Sequence, residues 1–158
     1  MTARVLSGGT LAEIARLRGL YPRAQSALLP ALHAAQDQVG YLTPEAMEDV
    51  GDALGLTTTE VTSVASYYTM FFTKPVGRHK VRVCTNLSCY LNGAEQVLHH
   101  LCERLGVTPG ETTADGRVLV EAVECLGACE EAPVLLADTT RHPRVTTAAI
   151  DDLLEGLR

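Results

Sequence analysis

Four of the five cysteines in this 158-residue chain stand in two close pairs. Four residues separate Cys84 from Cys89, and three separate Cys125 from Cys129. Two thiolates this close in sequence are able to chelate one metal atom. Two such pairs that face each other would enclose a dinuclear iron–sulfur cluster or a single zinc ion. Because a reducing compartment disfavours disulfides, clustered cysteines there more often bind metal or carry out redox chemistry.

The spacing leaves more than one kind of cysteine site open. Zinc sites also use cysteines separated by two to four residues, and disulfides or free thiols would fit as well. A plant-type ferredoxin needs a further cysteine three residues after Cys89, where this chain has Asn92. A Rieske-type site replaces one cysteine pair with histidines, and both pairs are present here. From the residues alone, an iron–sulfur site is the first choice and a zinc site the second.

The surroundings of the two pairs predict the properties of such a site. The short segments 86–88 and 126–128 would turn backbone N–H groups toward the sulfurs, and Gly127 allows a positive φ. A cluster held by thiolates is negatively charged, and negative neighbours oppose its reduction. We therefore predict a low potential, about −400 mV or below. The acidic residues that crowd the second pair are Glu121, Glu124, Glu130 and Glu131.

The first half of the chain has helical periodicity, and residues 1–73 predict about four helices. Signals for helix starts and stops recur along it. Pro30 marks either a kink or the true start of the second helix. The first predicted helix begins at the capping-box pattern of Thr10 and Glu13, and the second spans 23–39 and stops at Gly40. The third runs from Thr43-Pro44-Glu45 to Gly55. The fourth begins at Thr59, and its apolar side is formed by Val61, Val64, Ala65, Tyr68 and Phe72.

The periodicity changes after a break at residues 74–77. Residues 80–84 and 117–123 alternate like strands, and 133–137 predict a short buried strand. Helices are predicted for Gly93 to Gly106 and after Val145-Thr146. The order β-α-β-β-α describes a small sheet packed by helices, with both cysteine pairs on loops at strand ends. The chain thus predicts an α+β protein with a helical domain at 1–75 and an α/β domain at 76–158.

Composition excludes some functions. The net charge of −6, with no run of Lys or Arg, argues against a nucleic-acid surface. No window has the roughly 20 apolar residues of a membrane span. Residues 1–9 contain no apolar stretch of signal-peptide length, so we expect a cytoplasmic location. The sequence contains no dinucleotide fingerprint and no Walker motif, so an NADH or flavin site is not expected on this chain.

The sequence resembles the 24 kDa-type subunit of respiratory complex I (NADH:quinone oxidoreductase), known in bacteria as the E-type subunit. Related subunits serve NAD-reducing hydrogenases and NAD-dependent formate dehydrogenases. The resemblance extends over nearly the whole chain, and the second cysteine motif is its most specific part. The matching stretches are Tyr21-Pro22-Arg23, Ser26 to Gln36, Gly40-Tyr41-Leu42-Thr43, Val64-Ala65-Ser66-Tyr67-Tyr68-Thr69-Met70-Phe71, Pro75-Val76-Gly77, Val83-Cys84-Thr85 with Ser88-Cys89, and Glu124-Cys125-Leu126-Gly127-Ala128-Cys129 with Ala132-Pro133-Val134.

The resemblance implies a helical N-terminal part followed by a thioredoxin-like domain that holds one [2Fe–2S] cluster. One iron would be held by Cys84 with Cys89, and the other by Cys125 with Cys129. It also implies a partner: the NADH-binding flavoprotein (51 kDa-type) subunit, which carries FMN, the NADH site and a [4Fe–4S] cluster, in a complex peripheral to the cytoplasmic side of a membrane. The chain would transfer electrons and have no catalytic residue of its own. A zinc-stabilised binding module without a redox role is the alternative from another class.

The remaining candidate residues have simpler interpretations. Cys102 falls on an apolar helix face and is expected to be a buried structural thiol. At least one of His99 and His100 is expected on a helix surface. The aromatic stripe from Tyr67 to Phe72 is expected to belong to the core or to an interface, with Tyr68 or Phe72 as candidate contacts to the flavoprotein. The N-terminal helices, which carry no chemistry, are expected to bind that partner.

Overall fold

The computed structural model describes residues 4–157. The chain divides into two compact units, Met1–Pro75 and Val76–Arg158. Each unit has its own hydrophobic core, one built between helices and the other between a sheet and helices. No helix among the described residues is long and apolar enough to cross a membrane.

The first unit contains four α-helices within its described part. Helix α1 spans Gly8–Gly19, α2 spans Leu28–Val39, α3 spans Pro44–Leu54 and α4 spans Thr58–Tyr67. A 3-10 turn at Ala24–Ala27 leads directly into α2. The core between the helices is formed by apolar side chains from all four, among them Ile14, Leu32, Val50 and Val61.

The predicted helix ends are mostly confirmed. The Thr43 hydroxyl caps α3 by accepting a hydrogen bond from the Ala46 N–H at 3.1 Å. Gly55, which has φ 70°, ends the same helix, and Gly40 ends α2. Pro30 lies in the first turn of α2, where its missing N–H costs no helical bond, so it marks the start of the helix and introduces no kink.

Two predicted starts are wrong. The N-cap of α1 is Ser7, whose hydroxyl accepts from the Thr10 N–H, so Thr10 lies inside the helix. Helix α4 begins one residue earlier than predicted, because Thr57 and Glu60 form a reciprocal capping box.

The aromatic stripe after α4 also differs from the prediction. The helix ends at Tyr67, so Tyr68 and Phe72 do not continue its apolar side. Phe71 is buried in the core of the first unit, whereas Tyr67, Tyr68 and Met70 are exposed. The break in the helix therefore changes which side chains face inward.

The second unit is a four-stranded sheet with helices. The chain order is strand β1 His79–Cys84, helix α5 Leu87–Leu91, helix α6 Ala94–Leu105, strand β2 Val118–Val123, a 3-10 turn Cys129–Glu131, strand β3 Leu135–Ala137, strand β4 Thr140–His142 and helix α7 Thr147–Gly156. The predicted β-α-β-β-α order is confirmed, and the structure adds the short elements α5 and β4.

The sheet has the strand order β2-β1-β3-β4. Strands β1 and β2 are parallel, with Cys84 opposite Val123, and β3 pairs antiparallel with both β1 and β4. Parallel strands end at the same edge of a sheet. Cys84 at the end of β1 and the segment that leads from β2 to Cys125 therefore lie side by side. The two cysteine motifs, about forty positions apart in sequence, thus meet through the register of two strands.

Strand β2 does not show the predicted alternation of buried and exposed residues. Val118, Leu119 and Val120 are all buried. The segment 110–113 runs along this strand and covers its edge, with hydrogen bonds from the Gly110 N–H to Val120 O at 2.7 Å and from the Val120 N–H to Glu111 O at 3.1 Å. An edge strand covered in this way is buried on more than one side.

Candidate iron–sulfur centre

The first cysteine pair belongs to the hydrophobic core of the second unit. Cys84 is the last residue of β1 and is 4% exposed, and Cys89 lies in α5 and is 3% exposed. The Cys84 N–H donates to Val134 O at 3.1 Å, which ties the end of β1 to the segment before β3. The prediction that both pairs lie on loops is therefore wrong for the first pair.

Helix α5 owes its position to the polar residues at its ends. The Asn86 side chain accepts from the Leu87 N–H at 2.8 Å at the N-cap. At the other end the Asn92 side chain donates to Ser88 O at 2.7 Å. Between these ends the helix directs Cys89 into the core and leaves Leu87 exposed.

The second pair is exposed. Cys125 follows the end of β2 by two positions, and Cys129 opens a 3-10 turn; both residues are exposed, whereas Ala128 between them is buried. Gly127 has φ 68°, a left-handed conformation, and its N–H donates to the Cys125 sulfur at 3.3 Å. The predicted role of Gly127 agrees with this geometry, since its backbone turns an N–H toward a thiol.

The structure brings the two motifs close together. The Cys84 Sγ donates to Glu124 O, the residue before Cys125, at 3.7 Å. Cys84 and Cys129 both lie near enough to Cys89 to raise its pKa. Within residues 4–157 no group of three or more His, Cys, Asp or Glu side chains is arranged to hold a single metal ion.

Burial is the main influence on the Cys89 thiol. It raises the pKa of Cys89 above its usual value, and the neighbouring Cys84 and Cys129 raise it further. A hydrogen bond from the Val134 backbone acts in the opposite direction. Burial thus favours the neutral thiol of Cys89, and metal binding at this residue would be coupled to release of the thiol proton.

Two of the four glutamates near the second pair are ion-paired. Glu121 accepts from Arg82 at 2.9 Å across β1 and β2, and Glu131 lies 3.3 Å from the Arg141 guanidinium. In the described part of the chain, neither Glu124 nor Glu130 forms an ion pair, and both are exposed. The negative charge next to the second pair thus comes mainly from Glu124 and Glu130.

The other candidate side chains lie apart from this site. Cys102 is half-buried on α6, where it packs against the core and where burial raises its pKa. His99 is largely exposed and lies 3.3 Å from Glu103, and His100 lies 3.4 Å from Asp151. These contacts place both histidines on the helix surface, as predicted for at least one of them. Cys102 packs against the core as expected, but it is half-buried and not buried.

The donor set fits an iron–sulfur cluster. It consists of sulfur ligands in two pairs, with backbone N–H groups of Gly127 and Val134 directed at two of the sulfurs. Thiolates select zinc and iron–sulfur clusters among biological metals, and hydrogen bonds to the sulfurs tune a cluster. The sequence did not predict the part played by Val134 or Asn86. An Asn directly before a short apolar run is the one signal that could have revealed the cap of α5.

A parallel β-α-β unit followed by a β-hairpin and a helix, with four cysteines at one sheet edge, defines a thioredoxin-like domain with a sulfur-rich site. Residues 14–158 match the family of thioredoxin-like [2Fe-2S] ferredoxins. The protein belongs to that family, and the resemblance seen in the sequence motifs is confirmed.

The individual relatives include subunits of NADH-quinone oxidoreductases. The chain is 42% identical to an E-type subunit of NADH-quinone oxidoreductase, the one numbered 2, of Rhizobium meliloti (strain 1021), over 92% of this chain and 87% of that protein. It is also 42% identical to the E-type subunit of NADH-quinone oxidoreductase of Mycobacterium tuberculosis (strain ATCC 25618 / H37Rv), over 89% of this chain. That match spans only 56% of the mycobacterial protein, so the chain corresponds to about half of it.

A solved structure extends the similarity to a different complex. The NAD+-reducing [NiFe]-hydrogenase in the H2-reduced state superposes with a TM-score of 0.74 and 32% sequence identity. The match covers 82% of this chain but 22% of the hydrogenase chain. In that protein the similar segment is thus a minor part of a longer polypeptide.

Proposed function

We propose that this chain is the electron-transfer subunit of an NADH:quinone oxidoreductase and carries one [2Fe–2S] cluster on Cys84, Cys89, Cys125 and Cys129. The observation that carries the proposal is the meeting of the two cysteine pairs at one sheet edge, in a chain of the thioredoxin-like [2Fe-2S] family. The names of the relatives support the assignment to a respiratory complex.

The chain's own residues hold and shield the cofactor. When bound, the cluster accepts and returns single electrons, which is chemistry that no side chain supplies. Cys84 and Cys89 offer ligands from the core and exclude water from that side of the site. Cys125 and Cys129 offer ligands from the surface, and the Gly127 N–H offsets negative charge on sulfur. No residue of this chain acts as an acid, a base or a nucleophile.

The proposed partner is the NADH-binding flavoprotein (51 kDa-type) subunit with its FMN, NADH site and [4Fe–4S] cluster. We place the complex at the cytoplasmic side of a membrane. An NAD+-reducing hydrogenase with a similar segment inside a longer chain supports a role beside NAD chemistry. The same observation favours a second candidate function, the equivalent subunit of an NAD-reducing hydrogenase.

We assign binding of the flavoprotein in part to the helical unit. Tyr67 is 79% exposed at the end of α4, and the neighbouring Tyr68 and Met70 are exposed as well. Exposed aromatic and methionine side chains are enriched at protein interfaces. Because each unit has a separate core, removal of residues 1–75 is expected to leave a cluster-binding unit that no longer copurifies with the flavoprotein. Copurification at the full-length yield would contradict this assignment.

The test of the proposed function is co-expression of the tagged chain with the flavoprotein subunit, followed by anaerobic purification. We expect a complex that contains FMN, with two irons and two sulfides bound to this chain. A chain that carries zinc in place of iron, or that purifies without the flavoprotein, would overturn the proposal. The two candidate complexes are distinguished by repeating the experiment with the flavoprotein subunit of an NAD-reducing hydrogenase and comparing the two affinities for this chain.

A further inference from the structure

Helix α5 exposes large apolar side chains directly beside the proposed cluster. Leu87 is 67% exposed, Tyr90 51% and Leu91 72%, whereas Cys89 on the same helix is 3% exposed. Across residues 76–157 these three are the large hydrophobic side chains that are exposed. We refer to Leu87, Tyr90 and Leu91 together as the α5 face.

The fold itself does not explain the α5 face. The helix is positioned by its caps and by Cys89, which lies in the core, so polar residues at the outer positions would leave those contacts intact. Exposed leucines on a five-residue helix lower solubility without adding to the core. A contiguous apolar patch of this kind marks an interaction site.

An acidic residue lies next to α5 on the side of the second cysteine pair. The 3-10 turn Cys129–Glu131 packs against α5 and carries the exposed Glu130. Glu130 and the exposed Glu124 form no ion pair within the described chain, in contrast to Glu121 and Glu131. The apolar α5 face thus lies next to a turn that carries the exposed negative charge of Glu130.

We propose that the α5 face is the surface through which the electron-exchanging partner docks, and that the partner presents an apolar hollow bordered by Lys or Arg. The inference rests on the proposed function, since it assigns the site of electron exchange. A protein seated on Leu87 and Leu91 is separated from Cys89 by the thickness of one short helix, which keeps the electron path short. Charge complementarity selects a basic border. A second copy of this chain is disfavoured, because docking through the same face would bring Glu130 near the same negative charge of the other copy.

The test substitutes the two leucines of the α5 face and measures how this chain then binds the NADH-binding flavoprotein. The double variant Leu87→Gln with Leu91→Gln removes the apolar surface. Leu87→Met with Leu91→Met is the conservative variant, and Gln and Met have similar helix propensities. Affinity for the flavoprotein is measured at low and high salt, together with iron per chain and self-association by light scattering.

We expect the Gln variant to keep its iron and to bind the flavoprotein at least tenfold more weakly, while the Met variant stays within about twofold of the wild type. Glu124→Gln with Glu130→Gln is expected to reduce the salt dependence of binding.

A Gln variant of the two leucines that retains iron and binds as tightly as the wild type overturns the inference that the α5 face is the docking surface, and it leaves the proposed function intact. Loss of self-association alone would identify a second copy as the occupant and overturn the inference. A wild-type chain without iron or without flavoprotein binding overturns the proposed function and this inference with it.

Discussion

The two cysteine pairs offer the same ligand chemistry from opposite environments. Cys84 and Cys89 lie in the core of the second unit, on a strand and a helix. Cys125 and Cys129 are exposed, on a glycine-containing turn and the 3-10 turn after it. The first pair is held by packing that the fold requires anyway, whereas the second is held by local backbone conformation and hydrogen bonds.

This difference separates folding from cofactor binding. Cysteines in the core are already held in position, so metal binding would cause little further ordering of that pair. The exposed pair would hold a metal from the surface of the unit, the side that an electron-transfer partner can reach. Substitutions in the two pairs should therefore have the same effect on the cluster and different effects on the stability of the apoprotein.

The largest expected effect is that of Cys84→Ser. This variant should lose the cluster and also lower the free energy of unfolding of the apoprotein by about 1–3 kcal/mol, because a hydroxyl in an apolar core is more costly than a thiol. Iron analysis and urea unfolding of the sheet unit measure the two effects. Unchanged apoprotein stability would show that the first pair is not part of the core in solution.

Cys125→Ser tests the other side of the comparison. It should lose the cluster to the same extent, while the apoprotein unfolds within about 0.5 kcal/mol of the wild type, since the side chain is exposed. The same iron and urea measurements apply. Full retention of a [2Fe–2S] spectrum in this variant would remove Cys125 from the ligand set.

Gly127→Ala tests whether backbone conformation holds the second pair. A Cβ at Gly127 meets nothing within 4 Å, so the cost is the left-handed φ alone, about 1–2 kcal/mol. We expect faster release of iron to a chelator, followed as the loss of visible absorption. Gly116→Ala is the matched control, because Gly116 has φ 69° and equally free space but lies in the turn before β2. Equal rates of iron release in both variants would contradict the account.

The smallest expected effect is on the cluster potential. Glu130→Gln removes an exposed charge beside the second pair and should raise the midpoint by roughly 10–30 mV, the scale of a unit charge about 10 Å away in water. Glu131→Gln should raise it as well, because Arg141 then loses the partner that neutralises it. Glu103→Gln on α6 serves as a control in a spectroelectrochemical titration. Identical potentials for all three would show that these charges do not tune the cluster.

Much of the fold follows from local signals in the sequence. Thr43 and Pro44 mark the start of α3 because a hydroxyl cap and a first-turn proline suit no other position as well. Strand β1 follows from the alternation of residues 80–84 and from the break at residues 74–77. The wrong start at Thr10 arose because Ser7, three positions earlier, provides an equally good cap.

The missed elements are short and are held by tertiary contacts. Strand β4 has no buried residue and exists because Thr140–His142 pairs with β3 in a hairpin. Helix α5 has five residues, too few to show a period, and depends on Asn86 and on the burial of Cys89. The alternation predicted for β2 failed because segment 110–113 covers the strand.

The spacing singles out the four cysteines proposed as ligands, but it does not predict their environments. Spacing gives no information on whether a thiol lies in a core, and it placed Cys84 and Cys89 on a loop. The pairing of Glu121 with Arg82 likewise depends on the register of two strands. The sequence therefore overestimated the uncompensated negative charge near the second pair, because Glu121 and Glu131 are ion-paired.

The most direct test of the central claim is an EPR and visible absorption spectrum of the anaerobically purified chain, as isolated and after dithionite, with iron, zinc and acid-labile sulfide assays. A [2Fe–2S] centre predicts two irons and two sulfides per chain and an S = 1/2 signal that is present only after reduction. A colourless protein with one zinc ion, still without iron after cluster reconstitution, would leave the fold standing and contradict the function.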